Sequence, residues 1–565
     1  MRKREKIMKK ILALILSLFS ALALLAGCGG GGGGTTNSSS SSAPEVDNTI
    51  EATISPIVYS DEVIKKIEET TSGNFEDWLD ERSVYGMASN SVIVSPFHSL
   101  KLNGQDVPVY TVRSRRGAHS FAWVDVEKTR RDWHIDVELT TTEAYGKCVV
   151  LPESTGVEVA VNNNVYTCKL YGLDTYSFTF ASDAEAKVTD PLLAPLTLMV
   201  TEEKPFKLPT EYETVTVEPG VHGAKELVFT QEYTAYIIKS GYHEVAGIKL
   251  PSNSLLYLES GAYIKGLDQE LSLAVIGGEG GTNVQIIGRA IVDCGSMSYD
   301  GNKHPFWFSR MEDLSVEGLV MVNANTWTMC FLDCTDLTIE RNLLLGYRNT
   351  SDGIMMSDCV NGVGRYNFVR TGDDGIEFKA TGWGRGPNEG YNCVYEYNDC
   401  WTDRVSAYGL IWENMRDLSD VTFRNNTVGF AYSGENEYLC PLEIRLGANS
   451  NITWKNVLYE NIELYYVDCA TVITVKVNSS DGGGLGGGGA IVDAITYKNV
   501  SVNATREGCV AFKMHFGANA GGDITNIVVE NMNFCGKVLT ASDKSNSNYF
   551  VNEAGDKFEN GLTVK

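Results

Sequence analysis

The chain has 565 residues, with 47 Lys and Arg against 72 Asp and Glu, which gives a formal net charge of −25. Because such an acidic surface repels polyanions at long range, we expect neither nucleic acid nor an anionic membrane surface as a partner. The length exceeds what one hydrophobic core usually serves, so we expect two folded units.

The N-terminal residues have the pattern of a secretory signal. Six Lys and Arg residues precede an apolar run from Ile11 to Ala26, which is shorter than a typical membrane span. The run ends in Leu-Ala-Gly-Cys28, which resembles the bacterial lipoprotein cleavage box. The resemblance implies that residues 1–27 are removed and that Cys28 carries a lipid, followed by a flexible Gly- and Ser-rich tether over residues 28–45. We therefore expect an extracellular protein held at the cell membrane by its lipid anchor alone.

Twelve further cysteines follow Cys28, scattered singly and without a C-x-x-C pair. Zinc sites need paired cysteines or nearby histidines, but no such pair occurs here and few histidines lie near the cysteines. We expect no metal and no cofactor, and a monomer.

The first folded unit is predicted to span residues 46–210. Polar and apolar residues alternate there, as in Trp133 to Leu139, and turn residues such as Asn162 to Asn164 separate the runs. This pattern predicts an antiparallel β-sandwich. A proline-rich stretch then marks a boundary near residue 210.

The second unit, residues 211–565, repeats a short β-branched and apolar segment around an asparagine. The steps between successive asparagines are 25, 31, 28, 35, 38 and 32 residues, for Asn342, Asn367, Asn398, Asn426, Asn461, Asn499 and Asn531. Irregular steps of a little over one coil predict a right-handed parallel β-helix, in which insertions leave as loops. The asparagines are expected to stack in a ladder at a bend. The predicted fold is therefore all-β, a β-helix preceded by a β-sandwich.

Three aspartates are the strongest candidates for catalysis. Asp352 precedes a glycine, and the pair Asp373-Asp374 follows 21 and 22 residues later. That separation is about one coil, and rungs stack about 4.8 Å apart, so the three carboxylates can face one groove. Cleavage of a glycosidic bond with inversion needs an acid and a base about 6.5 to 9.5 Å apart. The alternative is that these Asp-Gly sequences only form turns.

Residues 215–535 resemble glycoside hydrolase family 28, the polygalacturonases. The resemblance is carried by several segments, which are Leu250–Ile264, Ile287–Asp293, Asn325–Met329, the N-T-S-D-G sequence from Asn349 and the G-D-D sequence from Gly372. It implies that Asp352, Asp373 and Asp374 are the catalytic carboxylates, with Asp374 as the general acid and the other two as bases in an inverting hydrolysis of a polysaccharide.

Two departures from that family concern the substrate. No histidine stands near Arg404-Val405-Ser406, where the family has its G-H-G motif, and Glu443 occupies the first cationic position of its R-I-K motif. The chain is also similar to family 49, the dextranases and isopullulanases, which lack that histidine and carry a β-sandwich in front. Together with the acidic charge, these features slightly favour a neutral α-glucan over pectin.

Several other side chains are candidates for substrate contacts, each with packing or a solvated ion pair as the alternative. They are Trp327, Tyr347, Trp383, Glu413 and Arg445, and the aromatic residues Trp401 and Trp412 lie nearby. Trp383 belongs to a glycine-rich loop, where a tryptophan would otherwise be exposed without reason. Glu377 and Lys379 alternate with apolar residues and are expected to face solvent.

Two rival functions remain open from the sequence. A β-helix lyase would bind calcium through the aspartates and use Arg370 or Arg445 as its base. A surface glycan-binding protein would keep the β-helix without the reaction. The presence of all three carboxylates favours hydrolysis over both.

Overall fold

The computed structural model describes residues 49–70, 92–127, 133–204, 206–223, 225–268, 273–299, 301–384, 387, 390–411, 413–433, 439–447, 451–478, 489–516, 522–553 and 561–565. The predicted signal, Cys28, the tether and Trp412 lie outside these residues. Residues 49–565 belong to one compact unit. The α-helix Asp61–Thr70 is short, and none of the described helices has the length and hydropathy needed to cross a membrane.

The N-terminal part is a sandwich of two β-sheets. The first sheet contains Ile50–Glu51, His98–Leu102, Gln105–Val107, Trp133–Thr141, Ala160–Asn162 and Val165–Leu170. The second contains Ile54–Pro56, Ile93–Val94, Tyr110–Ser114, Gly117–Val126, Lys147–Leu151, Asp174–Ala181 and Leu196–Glu202. Apolar side chains from both sheets, including Leu139, Phe178 and Leu198, form the core between them.

From Glu213 onward the chain winds into coils whose strands pair in parallel along three faces. The site face contains Leu227–Val228, Ile248–Lys249, Met329–Leu332, Ile354–Ser357, Ile376–Lys379, Tyr408–Leu410, Leu442–Gly447, Thr471–Asn478, Val510–Phe516 and Phe550–Glu553. The outer face contains Glu213–Val217, Thr234–Ile238, Ser254–Leu258, Thr335–Glu340, Val363–Arg365, Cys393–Glu396, Gly522–Thr525, Ile527–Glu530 and Leu562–Val564.

The third face contains Gly220–His222, Gly241–Val245, Ala262–Gly266, Ile291–Asp293, Val320–Val322, Leu343–Leu345, Phe368–Thr371, Asp399–Thr402 and Asn533–Phe534. Longer strands run across two faces, namely Ala274–Gly288, His304–Glu317, Leu418–Tyr432, Thr453–Asp468 and Ala490–Thr505. Lys537–Val538 closes a short hairpin near the end of the chain. The predicted parallel β-helix with an N-terminal β-sandwich is therefore confirmed.

The recurrent asparagines form two ladders. Inside the helix, the Nδ2 atoms of Asn342, Asn367 and Asn398 each donate to the Oδ1 atom of the next asparagine, at 3.0, 3.0 and 3.1 Å, ending at Asn426. In the following coil Ile462 takes the position of Asn426. A second ladder then continues on the surface, from Asn425 through Asn461 and Asn499 to Asn531. The sequence repeat therefore combines a buried ladder with an exposed one.

The sandwich packs against the third face of the helix. The second sheet is buried on both sides for this reason, so its strand Asp174–Ala181 shows no alternation of burial. At the centre of this contact, His119 Nδ1 lies 3.1 Å from Nη1 of Arg370. Arg370 in turn donates to Asp403 at 3.0 Å, and neither side chain of this ion pair is exposed. The sandwich thus packs, through His119, against the coil that carries the aspartate pair.

Candidate active site

The three aspartates lie on turns of consecutive coils that are joined by backbone hydrogen bonds. The amide of Thr328 donates to the carbonyl of Asp352 at 2.8 Å, and the amide of Gly353 donates to the carbonyl of Asp374 at 2.8 Å. The amide of Gly375 donates to the carbonyl of Ser406 at 2.8 Å. Asp352, Asp374 and Ser406 therefore stand one above the other at the start of the site face.

The glycines that follow the aspartates allow these turns to approach closely. A Cβ atom on Gly353 would lie 2.3 Å from the carbonyl oxygen of Gly375, and one on Gly375 would lie 2.2 Å from Sγ of Cys400. Neither glycine has a positive φ. The Asp-Gly sequences are thus explained by tight stacking of coils that carry the carboxylates, and not by the left-handed turns that glycine commonly forms.

A groove of about 1090 Å³ runs over these turns. Among the residues that line it are Asp352, Asp373, Asp374, Trp327, Glu413 and Arg445. Asp352 and Asp374 are only 4% and 5% exposed. The side chain of Asp373 is 17% exposed, so it is the most accessible of the three carboxylates.

Asp373 and Asp374 have different surroundings. Burial and the charge of Asp374 raise the pKa of Asp373 to about 8, although Arg404 opposes this shift from 2.8 Å. Burial also raises the pKa of Asp374, but Lys379, Arg445 and two hydrogen bonds from Ser406 oppose it. The Ser406 hydroxyl donates to Oδ1 of Asp374 at 3.0 Å and its amide at 3.3 Å. Asp374 thus has more support for its ionised form.

Glu377 and Lys379 correct an expectation from the sequence, because they are 0% and 2% exposed and not turned to solvent. The ammonium of Lys379 lies 3.4 Å from Oε1 of Glu377 and 2.6 Å from Oε2 of Glu413. It also lies 5.1 Å from the ring centroid of Trp327. Alternation does point both side chains away from the helix interior. On this part of the site face, however, other side chains such as Trp327 and Glu413 pack against Lys379.

The candidate substrate contacts divide into three residues that line the groove, an exposed tryptophan that stacks on one of them, and a buried tyrosine. Trp383 is 45% exposed and stacks on Trp327 with a centroid distance of 6.0 Å, so this pair offers an aromatic surface beside the aspartates. Glu413 and Arg445 line the groove, and their contact with a substrate stays a prediction. The expectation that Tyr347 contacts substrate is wrong, because its ring is fully buried beneath the guanidinium of Arg113 at 4.6 Å and does not line the groove.

Three site residues were not anticipated. Ser406 stands in the segment where the resembled family has its histidine, and the residue nearby that binds Asp373 is Arg404. The missing histidine was therefore the signal that pointed to this segment. Arg115, from a hairpin of the sandwich, donates to Oδ1 of Asn349 and lowers the pKa of Asp373. No sequence signal connects residues that lie so far apart in the chain.

The arginines suggested as lyase bases are both held in ion pairs. Arg370 is fully buried against Asp403, away from the groove. Nε of Arg445 lies 2.7 Å from Oε1 of Glu443. A proton-abstracting base must reach the substrate, so Arg370 is removed from that role. Among the described residues, the carboxylates of Asp352, Asp374 and Glu377 are the group close enough to hold a metal ion, with oxygens within 4.8 Å of one another.

Comparison with known proteins supports the fold. No protein-family model and no curated protein matches the chain. Among solved structures, Dex49A from Penicillium minioluteum matches with a TM-score of 0.57 and 14% identity, over 84% of this chain and 95% of that one. The family 28 exopolygalacturonase of Yersinia enterocolitica has a TM-score of 0.45 and 13% identity, over 76% and 96%. The likeness to Dex49A confirms the expected fold.

Proposed function

We propose that the chain is an extracellular glycoside hydrolase that cleaves a polysaccharide with inversion of configuration. The observation that carries the proposal is the convergence of Asp352, Asp373 and Asp374, from two consecutive coils, on one groove. Clustered carboxylates of raised pKa in a groove are typical of catalytic sites, because burying such groups together does not stabilise the fold. This argues for catalysis over a glycan-binding role alone.

The surroundings support Asp373 as the general acid, a role that the family resemblance gave to Asp374. A pKa of about 8 keeps Asp373 protonated at neutral pH, and its exposure allows solvent to return the proton after each turnover. Asp374, with its hydrogen bonds from Ser406, is better suited to accept a proton. Asp352 then helps to hold the attacking water.

In this mechanism the water attacks the anomeric carbon from the side opposite to the leaving oxygen. Asp373 gives its proton to that oxygen as the glycosidic bond breaks, and Asp374 takes the proton of the water. A single displacement of this kind inverts the anomeric configuration, and it needs an acid and base separated by about 6.5 to 9.5 Å. Proton nuclear magnetic resonance of the first product would show the inverted anomer.

The paired cations of the groove support a neutral substrate. Lys379 is paired with Glu377 and Glu413, and Arg404 is paired with Asp373. Arg445 is paired with Glu443. A uronate carboxylate would compete with these protein carboxylates, whereas a neutral sugar can stack on the aromatic pair Trp327 and Trp383. We therefore place a neutral α-glucan ahead of pectin.

The deciding experiment measures reducing ends released from dextran, pullulan, polygalacturonate and rhamnogalacturonan. We expect release from one of the two α-glucans and its loss in the variants Asp373→Asn and Asp374→Asn, by about 100-fold or more. Asp399→Asn is the matched control, because Asp399 is a buried carboxylate outside the groove. Release from polygalacturonate alone would contradict the substrate class, and release from none would contradict the proposed function for this set of glycans.

The location is tested separately. If Cys28 carries the lipid, the variant Cys28→Ala should appear in the culture medium or remain unprocessed, while the native protein fractionates with membranes. A native protein found in the soluble intracellular fraction would contradict the proposed location.

A further inference from the structure

A fourth carboxylate in the site has no role in the mechanism above. The side chain of Glu377 is fully buried, and neither of its oxygens has a hydrogen-bond partner among the described residues. It is a residue of the strand Ile376–Lys379, directly after the aspartate pair. A buried carboxylate without a donor is costly, so this position calls for an explanation.

The geometry around Glu377 brings too much negative charge together. Oxygens of Asp352, Asp374 and Glu377 all lie within 4.8 Å of one another. Asp374 is supported by Ser406, whereas Glu377 has, among the described residues, an ion pair with Lys379 at 3.4 Å. Carboxylates this close do not all ionise near neutral pH, and one proton is shared by the pair with least support.

We propose that Glu377 is a positioning residue that shares one proton with Asp352, so that this pair carries a single negative charge while Asp374 stays ionised. A protonated carboxyl becomes a donor, and this gives Glu377 the hydrogen bond that it otherwise lacks. The proposal deepens the proposed function and rests on it for its catalytic meaning. The shared proton itself can be measured without a substrate.

The groups that face Glu377 are consistent with this sharing. The carboxylates are Asp352, Asp374 and Glu413, and the nearest opposing charge among the described residues is Lys379. Two neutral groups, the Cys330 thiol and the Tyr395 phenol, approach from neighbouring strands. Burial raises the pKa of Glu377 to about 8, and burial together with Glu377 raises the pKa of Asp352 well above its usual range.

The shared proton has a defined effect in the mechanism. It lowers the charge of the Asp352–Glu377 pair to one, and that charge is shared within a hydrogen bond, so Asp374 is the better acceptor for the proton of the water. The hydrogen bond also fixes the orientation of the Asp352 carboxyl, whose second oxygen remains available to the water. Glu377 itself does not line the groove and touches no substrate.

The first test compares the pH dependence of unfolding in Glu377→Gln and in the native protein. A carboxyl of raised pKa holds its proton in the folded state but loses it on unfolding, so stability falls as pH rises from about 5 to 8. We expect the native unfolding constant to rise, relative to that of the variant, by up to about tenfold per pH unit. Glu213→Gln, at an exposed position, is the control and should leave the pH dependence unchanged. A flat difference between Glu377→Gln and the native protein would overturn the proposal.

The second test uses whichever glycan the native protein cleaves. In Glu377→Gln we expect kcat to fall by about tenfold or more with KM nearly unchanged. The acid limb of the pH profile should also move. The reason for both is that a shift of one unit in the pKa of a neighbouring carboxylate changes its protonation equilibrium about tenfold. Glu377→Asp keeps a titrating group and should recover part of kcat. Native kcat and pH profile in Glu377→Gln would overturn the positioning role, whereas a native protein without activity on any glycan would instead refute the proposed function.

Discussion

The hydrogen bonds from Ser406 to Asp374 allow a prediction of known sign and size. In Ser406→Ala the hydroxyl donor at 3.0 Å is lost, while the amide donor at 3.3 Å stays. A hydrogen bond to a charged group contributes about 1.5 to 3 kcal/mol, and one pKa unit corresponds to about 1.36 kcal/mol. The pKa of Asp374 should therefore rise by about one to two units.

The assay is the pH profile of kcat/KM, which reports the ionisation of the free enzyme. Because Asp374 must be ionised to accept a proton, the acid limb should move to higher pH by about one to two units. Ser419→Ala is the control, since it removes a similar bond, from Ser419 Oγ to Asp420 at 2.9 Å, away from the groove. An acid limb that does not move in Ser406→Ala would refute the assignment of Asp374 as the base.

Three further predictions concern the ladder, the sandwich and the aromatic pair. Asn398→Ala should lower the free energy of unfolding, measured in urea, by about 2 to 4 kcal/mol, because four hydrogen bonds of a buried side chain are lost. Asn461→Gly, on the exposed ladder, should lower it by less than about 1 kcal/mol. Equal losses in the two variants would contradict this account. Arg115→Ala should move the basic limb of kcat/KM to higher pH, because Arg115 lowers the pKa of the acid Asp373, and an unmoved limb would show that the sandwich does not influence that acid. Trp383→Ala should raise KM about 2- to 10-fold without changing kcat, and a native KM would exclude stacking on this ring.

The sequence predicted those features that depend on regular spacing. The recurring asparagines indicated the coils, and the separation of 21 residues between Asp352 and Asp373 indicated that the carboxylates meet. The alternation from Trp133 to Leu139 indicated the sandwich, because that strand belongs to the sheet that is not covered by the helix.

Features that depend on what covers a residue could not be predicted in the same way. Alternation showed that Glu377 and Lys379 point away from the helix interior, but it carries no information on whether that face is covered. Tyr347 was misjudged for a similar reason, since Arg113 of the sandwich lies over its ring. The contact of Arg113 with Tyr347 joins residues separated by more than 200 positions, and no local pattern records it.

The contact of His119 with Arg370 has a consequence for how this protein can be rearranged by recombination or by design. Separating the sandwich from the helix would expose the buried guanidinium of Arg370 and thereby change the surroundings of its ion pair with Asp403. This ion pair lies directly beside the turns of Asp373 and Arg404. The sandwich is therefore not an exchangeable module. A chimera that takes the helix from this chain must also take Gly117–Val126 from it, and the two parts are expected to have diverged together.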